Sequence, residues 1–94
     1  MIIVHSSTAI TSLVAQTKQK QQKVALIPTM GYLHDGHGAL MEAGIKENLF
    51  TIVYIFVNPA QFNQTSDYEK YPVNHEKDID FCKNKGVDAL FIPT

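Results

Sequence analysis

The sequence predicts an α/β domain built on an incomplete parallel β-sheet, and two observations lead to this prediction. Short apolar runs rich in β-branched residues alternate with longer segments of helical periodicity along the whole chain. Such alternation is typical of parallel strands joined by right-handed helical crossovers, with helices on both faces of the sheet. The sequence stops directly after an apolar run, without the helix that would cover that edge.

The first part of the chain is predicted to fold as strand, helix and strand. Residues 1–4 form a β-branched apolar run that predicts the first strand. After serines that can cap a helix, apolar residues at helical spacing predict a helix to about Gln22. Residues 24–27 predict the second strand, which we expect to stop at Pro28 because proline cannot donate a ladder hydrogen bond.

The remaining chain is predicted to contain two further strands and two helices. Residues 38–48 predict a helix, and residues 50–57 predict the strongest strand, which is apolar on both faces like a central parallel strand. A polar loop at 60–71 is followed by a helix at 74–85, which a glycine ends. Residues 89–92 predict the last strand, which we expect to expose an unpaired edge.

Composition excludes several classes of partner. A formal net charge of −1 provides no basic surface for nucleic acid or for an anionic membrane. No segment approaches the ~18 apolar residues of a membrane helix, and no signal peptide opens the chain. Cys82 is the only cysteine, so no internal disulfide can form. We expect a packed thiol and a cytoplasmic location.

The most informative segment is PTMGYLHDGH at residues 28–37, between a predicted strand and a predicted helix. A glycine-containing turn at a helix start is expected to point backbone N–H groups outward, where anions bind. His34 and His37 are expected to face one side of this turn and to donate hydrogen bonds to a phosphate. This turn and the segment from Asn58 both follow strand ends, so they are predicted to face one crevice. The pattern indicates nucleotide chemistry.

Three segments together resemble one enzyme family. They are PTMGYLHDGH, IFVNPAQF at residues 55–62 and DYEKYP at residues 67–72. The HxGH signature alone is shared by the nucleotidyltransferase superfamily and by class I aminoacyl-tRNA synthetases. In combination with PTMG and FVNPxQF, it resembles the pantoate–β-alanine ligases, or pantothenate synthetases. The resemblance covers essentially the whole chain and about the first third of the family's usual length.

The resemblance implies a Rossmann-like nucleotidyltransferase domain, of which residues 1–94 are the N-terminal part. By this resemblance, we expect the rest of that domain and the family's C-terminal domain to be absent from the 94 residues. The implied reaction joins pantoate and β-alanine in two steps: ATP first converts pantoate to pantoyl adenylate with release of pyrophosphate, and β-alanine then displaces AMP. Mg²⁺ accompanies ATP in such enzymes, which are typically homodimers.

The resemblance also assigns roles to individual residues. His34 and His37 correspond to catalytic histidines that contact the ATP phosphates, with His37 as a proton donor. The other residues of the implied ATP-binding turn are Met30, Gly31, Tyr32, Leu33, Asp35 and Gly36. The residues implied to bind pantoate and β-alanine are Gln61, Asn58, Met30 and Phe62.

Other chemically capable side chains are expected to have structural or solvent-facing positions. His5 and His75 have no motif around them, and Tyr54 and Phe56 are expected to be core aromatics. The carboxylates that could assist Mg²⁺ but are expected to be solvated are Asp67, Asp78 and Asp80. Gly38 and Gly44 lie within a predicted helix, where each costs about 0.5–1 kcal/mol relative to alanine. We therefore predict that the histidine turn is mobile without nucleotide.

Two alternatives to the ligase remain open. Another HxGH adenylyltransferase or cytidylyltransferase could use the same turn, although it would have no use for FVNPAQF. The chain could also be a non-catalytic truncated fragment. We predict little or no turnover by the 94-residue chain alone. We also predict self-association, either through the edge of strand 89–92 or through the uncovered sheet face.

Overall fold

The computed structural model describes residues 1–58 and 74–93. Strands and helices alternate in these residues, which confirms the predicted α/β class. The strands are β1 (Ile2–Val4), β2 (Val24–Thr29), β3 (Phe50–Ile55) and β4 (Ala89–Phe91), and the helices are α1 (Ser7–Gln19), α2 (Asp35–Lys46) and α3 (His75–Lys85). The site residues Gln61 and Phe62, the loop at 60–71 and Asp67 lie outside the described residues.

The four strands form one parallel sheet in the order β1-β4-β3-β2. β3 pairs with β2 along its whole length and with β4 on its other side, so it is the central strand that its apolar sequence predicts. β4 lies between β1 and β3. The prediction that the last strand exposes an open edge is therefore wrong, because the N-terminal strand occupies that edge. The edges of the described sheet are β1 and β2.

β2 continues through Pro28, so the prediction that the strand stops there is also wrong. Pro28 stands opposite Tyr54 in the register of β2 and β3. The amides of Phe50 and Phe56 donate to the carbonyl groups of Lys23 and Thr29. In a parallel strand, the backbone N–H and C=O groups of alternate residues point toward the same neighbouring strand. Those of the odd-numbered residues of β2 therefore point toward β3, and the backbone of Pro28 faces the open edge. A proline without an N–H is tolerated at that position.

Helices cover both faces of the sheet, as predicted. On one face, α2 and α3 enclose a buried core made of Ile27, Met41, Val53, Ile55, Cys82, Val87, Leu90 and Ile92. On the other face, α1 packs Ile10, Leu13 and Val14 against a smaller buried set, Phe50, Ile52 and Ala89. Among the described helices, none is long and apolar enough to cross a membrane.

Several single-residue predictions can be compared with this core. Cys82 is a packed thiol, as predicted, and burial followed by the charge of Asp78 raises its pKa to about 12. His5 has a structural contact, since its Nδ1–H donates to the carbonyl oxygen of Ile92 at 2.9 Å. Phe56 is 41% exposed, so its prediction as a core aromatic is wrong. β3 ends at Ile55, and Phe56 therefore lies beyond the part of the strand that α1 covers.

Two glycines let α2 approach its neighbours closely. A Cβ on Gly44 would lie 2.7 Å from Oγ1 of the buried Thr51 on β3. A Cβ on Gly38 would lie 3.0 Å from Cε of Lys85 on α3. Nζ of that lysine also bonds to Oε1 of Glu42 on α2, at 2.6 Å. Close packing thus accounts for Gly44, while at Gly38 the flexible Lys85 side chain could move aside. The predicted mobility of the preceding turn remains a prediction.

Candidate active site

The eight residues that resemble an ATP-binding turn form one continuous connection from β2 into α2. Residues 30–33 leave the carboxyl end of β2, His34 is the N-cap of α2, and residues 35–37 form its first turn. α2 begins at Asp35, three residues before the predicted start, because the side chain of His34 caps it. Asn58 follows the carboxyl end of the adjacent strand β3, so both segments lie at the edge where parallel sheets bind ligands.

Two consecutive left-handed residues open this connection. Gly31 has a φ of 84° and Tyr32 a φ of 53°. Glycine adopts such a conformation readily, whereas a bulky side chain there costs on the order of 1–3 kcal/mol. The N–H of Gly31 donates to Oγ1 of Thr29 at 3.1 Å. Additional contacts must therefore hold Tyr32 in place.

Asp78 of α3 supplies those contacts. Its Oδ2 accepts the N–H of Tyr32 at 3.1 Å, and its Oδ1 accepts the N–H of Leu33 at 3.0 Å. The residue is only 4% exposed, so the prediction of a solvated carboxylate is wrong. The sequence does contain a signal for this burial: Asp78 precedes the buried Cys82 by four residues and therefore shares its inward face of the helix.

One hydrogen bond joins the two histidines, and a second holds the ring of His34. The N–H of Gly36 donates to Nδ1 of His34 at 3.0 Å, and the N–H of His34 donates to Nδ1 of His37 at 3.2 Å. This arrangement is a capping box made of two imidazoles. The ring centroids lie 4.2 Å apart, which confirms that both rings occupy one side of the turn.

The hydrogen bonds at Nδ1 fix the tautomers. A neutral imidazole that accepts at Nδ1 carries its proton on Nε2. Each ring therefore keeps an Nε2–H donor, and within the described part of the chain neither Nε2 has a hydrogen-bond partner. The pKa of His37 lies below its ordinary value of 6.5, first because of burial and then because of neighbouring His34, while Asp78 acts in the opposite direction. His37 is therefore mainly a neutral donor at neutral pH.

The prediction of outward-pointing backbone N–H groups is wrong for most of the turn. Side-chain acceptors within the protein take these donors: Thr29 and Asp78 bind those of Gly31, Tyr32 and Leu33, and the imidazoles bind those of His34 and Gly36. Nearby acceptors hold these donors in fixed geometry, so they are not available to an anion. The donors that this turn leaves unpaired among the described residues are therefore the imidazole Nε2–H groups.

Two cavities border the turn. A cavity of about 500 Å³ at the ends of β2 and β3 is lined by Pro28, Thr29, Met30, Tyr54, Phe56 and Asn58. It brings together Met30 and Asn58, two of the four residues implied to bind pantoate and β-alanine. A cavity of about 810 Å³ lies between the turn and α3, with His34 on one wall and Lys77 on another.

The described residues do not fit a protein-held Mg²⁺ ion. Within residues 1–58 and 74–93, no group of three or more histidine, cysteine, aspartate or glutamate side chains could hold a metal. Both oxygens of Asp78 already accept backbone N–H groups. We therefore assign Mg²⁺ no ligand among these residues.

Comparison with known proteins identifies the family of this chain. Residues 2–94 match the family model described as pantoate-beta-alanine ligase. The chain belongs to the pantoate–β-alanine ligase family. The match extends over residues 55–62 as well as the HxGH turn, which excludes the alternative of another HxGH transferase family.

Relatives in this family are about three times as long as the chain. The chain is 45% identical over 93 residues to the pantothenate synthetase of Leptospira interrogans serovar Lai, and it covers 33% of that protein. It is also 45% identical over 94 residues to that of Coprothermobacter proteolyticus, again covering 33%. In each case 99% or more of the chain is matched.

Solved structures show the same fold. The pantoate-beta-alanine ligase of Francisella tularensis, complexed with beta-gamma ATP and beta-alanine, has a TM-score of 0.84 and 42% identity, over 99% of this chain and 35% of that one. Pantothenate synthetase from Thermus thermophilus has a TM-score of 0.79 and 40% identity, over 100% of this chain and 32% of that one. The described fold is therefore that of one part of these enzymes.

Proposed function

We propose that this chain supplies the N-terminal part of the nucleotide-binding domain of a cytoplasmic pantoate–β-alanine ligase that uses ATP. The observation that carries the proposal is the imidazole capping box, which leaves two Nε2–H donors at the carboxyl edge of a parallel sheet. Family membership supports the choice of substrates. The chain spans about a third of its relatives, so the activity belongs to a longer protein.

In the first step, a carboxylate oxygen of pantoate attacks the α-phosphorus of ATP. A new P–O bond forms, the bond to the bridging oxygen breaks, and pyrophosphate leaves with its electron pair. Negative charge spreads over the phosphoryl oxygens in the transition state, where fixed donors stabilise it most. In our proposal, the Nε2–H groups of His34 and His37 are those donors. His37 is also the proton donor that the resemblance implies. If Mg²⁺ accompanies ATP, it would neutralise part of the phosphate charge without a ligand from the described residues.

In the second step, the amine of β-alanine attacks the carbonyl carbon of pantoyl adenylate. A C–N bond forms, the C–O bond to AMP breaks, and the amine loses a proton. We propose that pantoate lies in the cavity of about 500 Å³ beside Met30 and Asn58. Tyr54 and Phe56 offer apolar wall area to its dimethyl group. Gln61 and Phe62, to which the resemblance assigns the same substrates, lie outside the described residues.

A non-catalytic role for the isolated chain is the second candidate. The observation that favours it is an uncovered part of the sheet, where Leu26 is 59% exposed and Phe56, which stacks on Tyr54, is 41% exposed. An apolar face of this kind favours association with another chain, including a second copy. The two candidates are compatible, because a chain that needs a complement for turnover can still bind nucleotide.

A chimera tests the ligase proposal. Residues 1–94 of this chain replace the matched third of the Thermus thermophilus enzyme, and AMP release is measured with pantoate, β-alanine and ATP. We expect pantoate-dependent AMP release from the chimera and little or none from the 94-residue chain. The His37→Ala chimera is expected to lose roughly 10²- to 10⁴-fold in kcat, while its unfolding temperature falls only slightly through loss of the capping contact. Full activity of that variant would refute the assignment of His37.

A further inference from the structure

We propose that Asp78 is a positioning residue: its carboxylate holds the Gly31–Leu33 backbone so that His34 and His37 present Nε2–H to the substrate. The inference rests on the proposed function for its consequence in catalysis. Its structural content concerns the tautomers and orientation of the two rings, which can be measured without any substrate.

Asp78 pairs with the backbone of the turn through both of its carboxylate oxygens. Each carboxylate oxygen accepts one N–H, and the two donors belong to the consecutive residues Tyr32 and Leu33. Hydrogen bonds to an ionised acceptor are stronger and more directional than those between neutral groups. Two such bonds fix the peptide planes on both sides of Tyr32. They hold this residue in a left-handed conformation that its side chain disfavours.

The space around Gly31 is too small for a side chain. A Cβ at this position would lie 2.9 Å from Oδ2 of Asp78 and 3.2 Å from Cγ2 of Ile55. Gly31 is therefore required twice, for its φ of 84° and for the close approach of the carboxylate. The two residues, 47 positions apart, act as one unit that joins α3 to the start of α2.

A continuous series of contacts connects the carboxylate of Asp78 to the two imidazoles. Leu33, held by Oδ1 of Asp78, directly precedes the N-cap residue His34. The N–H of His34 in turn donates to Nδ1 of His37. If the backbone before His34 rotates, this N–H leaves Nδ1 of His37, and that ring can protonate at either nitrogen. Asp78 thus controls a tautomer that it does not touch.

The buried negative charge of Asp78 also favours a positioning role. A buried carboxylate beside a phosphate site opposes the binding of a polyanion, so direct ligand contact is a poor explanation for it. The titratable side chains that sense its charge are His37, on α2, and Cys82, on α3. Positioning explains why a negative group is retained there, because its charge is spread over two backbone donors.

The test uses the 94-residue chain labelled with ¹⁵N and long-range ¹H–¹⁵N correlations of the imidazoles at neutral pH. We expect both His34 and His37 to carry the proton on Nε2. In Asp78→Asn, which preserves shape but presents an N–H₂ group to one backbone donor, we expect a mixture of tautomers at His37. Unchanged tautomers in Asp78→Asn would overturn the proposal.

The matched control is Asp88→Asn. Asp88 also accepts a backbone N–H through Oδ2, from Thr51 at 2.8 Å, but this contact lies at the start of β3 and away from the turn. We expect native tautomers in this variant. An equal change in Asp88→Asn would show a general loss of stability and would overturn the proposal.

A second pair of variants decides the matter if Asp78→Asn does not fold. Gly31→Ala and Gly86→Ala change glycines with nearly equal φ, 84° and 83°. A Cβ at Gly86 makes only an ordinary contact, 3.6 Å from Cδ1 of Ile45. We expect altered tautomers in Gly31→Ala alone, and equal spectra in the two variants would refute the role of the carboxylate.

The same Asp78→Asn change in the chimera separates positioning from function. We expect kcat to fall roughly 10- to 100-fold, since a small displacement of catalytic groups has effects of this size. If neither the parent chimera nor its variants release AMP, while the tautomers respond as expected, the proposed function is refuted and the positioning role remains supported. Native kcat together with altered tautomers would refute the catalytic consequence.

Discussion

The two faces of the sheet differ in how completely they are covered. Under α2 and α3, the side chains of Met41, Val53 and Leu90 are fully buried. On the α1 face, Leu26 is 59% exposed, and the Tyr54 and Phe91 rings stack with centroids 5.1 Å apart at the border of a cavity of about 400 Å³. The same strands therefore supply a closed core on one side and an open apolar surface on the other.

The site geometry depends on the closed face. Asp78 extends from α3 to the turn, and α2 begins with the histidines, so the relative position of these two helices determines where the imidazoles lie. Close-packed interiors hold such positions firmly. The open face contributes instead to the cavity beside Asn58, where Tyr54 and Phe56 form part of the wall. In the proposed function, the phosphate and the carboxylic acid substrate would thus be recognised by differently packed parts of one domain.

The largest expected difference between the faces is in their sensitivity to truncation. Met41→Ala removes a side chain with no exposed surface and should destabilise the chain by about 2–5 kcal/mol. Leu26→Ala on the open face should change the free energy of unfolding by less than about 1 kcal/mol. Urea denaturation followed by circular dichroism measures both. Equal losses would mean that the α1 face is covered in solution.

Association provides the next test of the comparison. If the open face mediates self-association, Leu26→Lys removes about 1.5–3 kcal/mol of apolar burial and should weaken the dimer roughly 10- to 100-fold. Leu40→Lys is the matched control, because Leu40 is 57% exposed but lies on α2. Analytical ultracentrifugation over a concentration series measures the two constants. A strictly monomeric parent chain would contradict the prediction of association.

The fold was largely predictable because its signals are local. Alternating apolar runs and helical segments predict the seven elements, and Asn74 and Gly86 bound α3 as the sequence predicts. The place of β4 was not predictable in this way, since strand order depends on which elements meet after the crossovers form. The continuation of β2 through Pro28 has the same origin, because a proline is acceptable only once the strand is known to be an edge.

The site was predictable in position but not in its internal hydrogen bonds. The resemblance places His34 and His37 at the start of α2, where the structure has them. Helix N-caps are usually serine, threonine, aspartate or asparagine, so a histidine capping box does not stand out in the sequence. Asp78 was missed because its partners are backbone groups 45 and 46 residues away, which no local pattern reveals.

The contact between α2 and β3 gives a smaller effect. In Gly44→Ala, the new Cβ would lie 2.7 Å from Oγ1 of Thr51, a short, buried side chain that cannot move aside. We expect destabilisation of about 1–3 kcal/mol, reduced by the better helix propensity of alanine. In a Thr51→Ala background the same change should have a smaller effect. A double-mutant cycle by urea denaturation measures the coupling, and purely additive effects would contradict close packing here.

The smallest effect concerns pH and His37. Its pKa in the folded chain is below 6.5, mainly through burial and secondly through His34, so the unfolded chain binds more protons between that lowered pKa and about 6.5. Stability rises with pH wherever the unfolded state binds more protons. The contribution of His37 is therefore complete above about pH 6.5 and is lost as the pH falls through the lowered value. His37→Gln should flatten this part of the stability profile, measured by urea denaturation in steps from pH 7.5 to 5. An unchanged slope in the variant would show that His37 is not the group responsible for this pH dependence. It would also mean that solvent at the open side of the turn screens His37 from the charges of its neighbours.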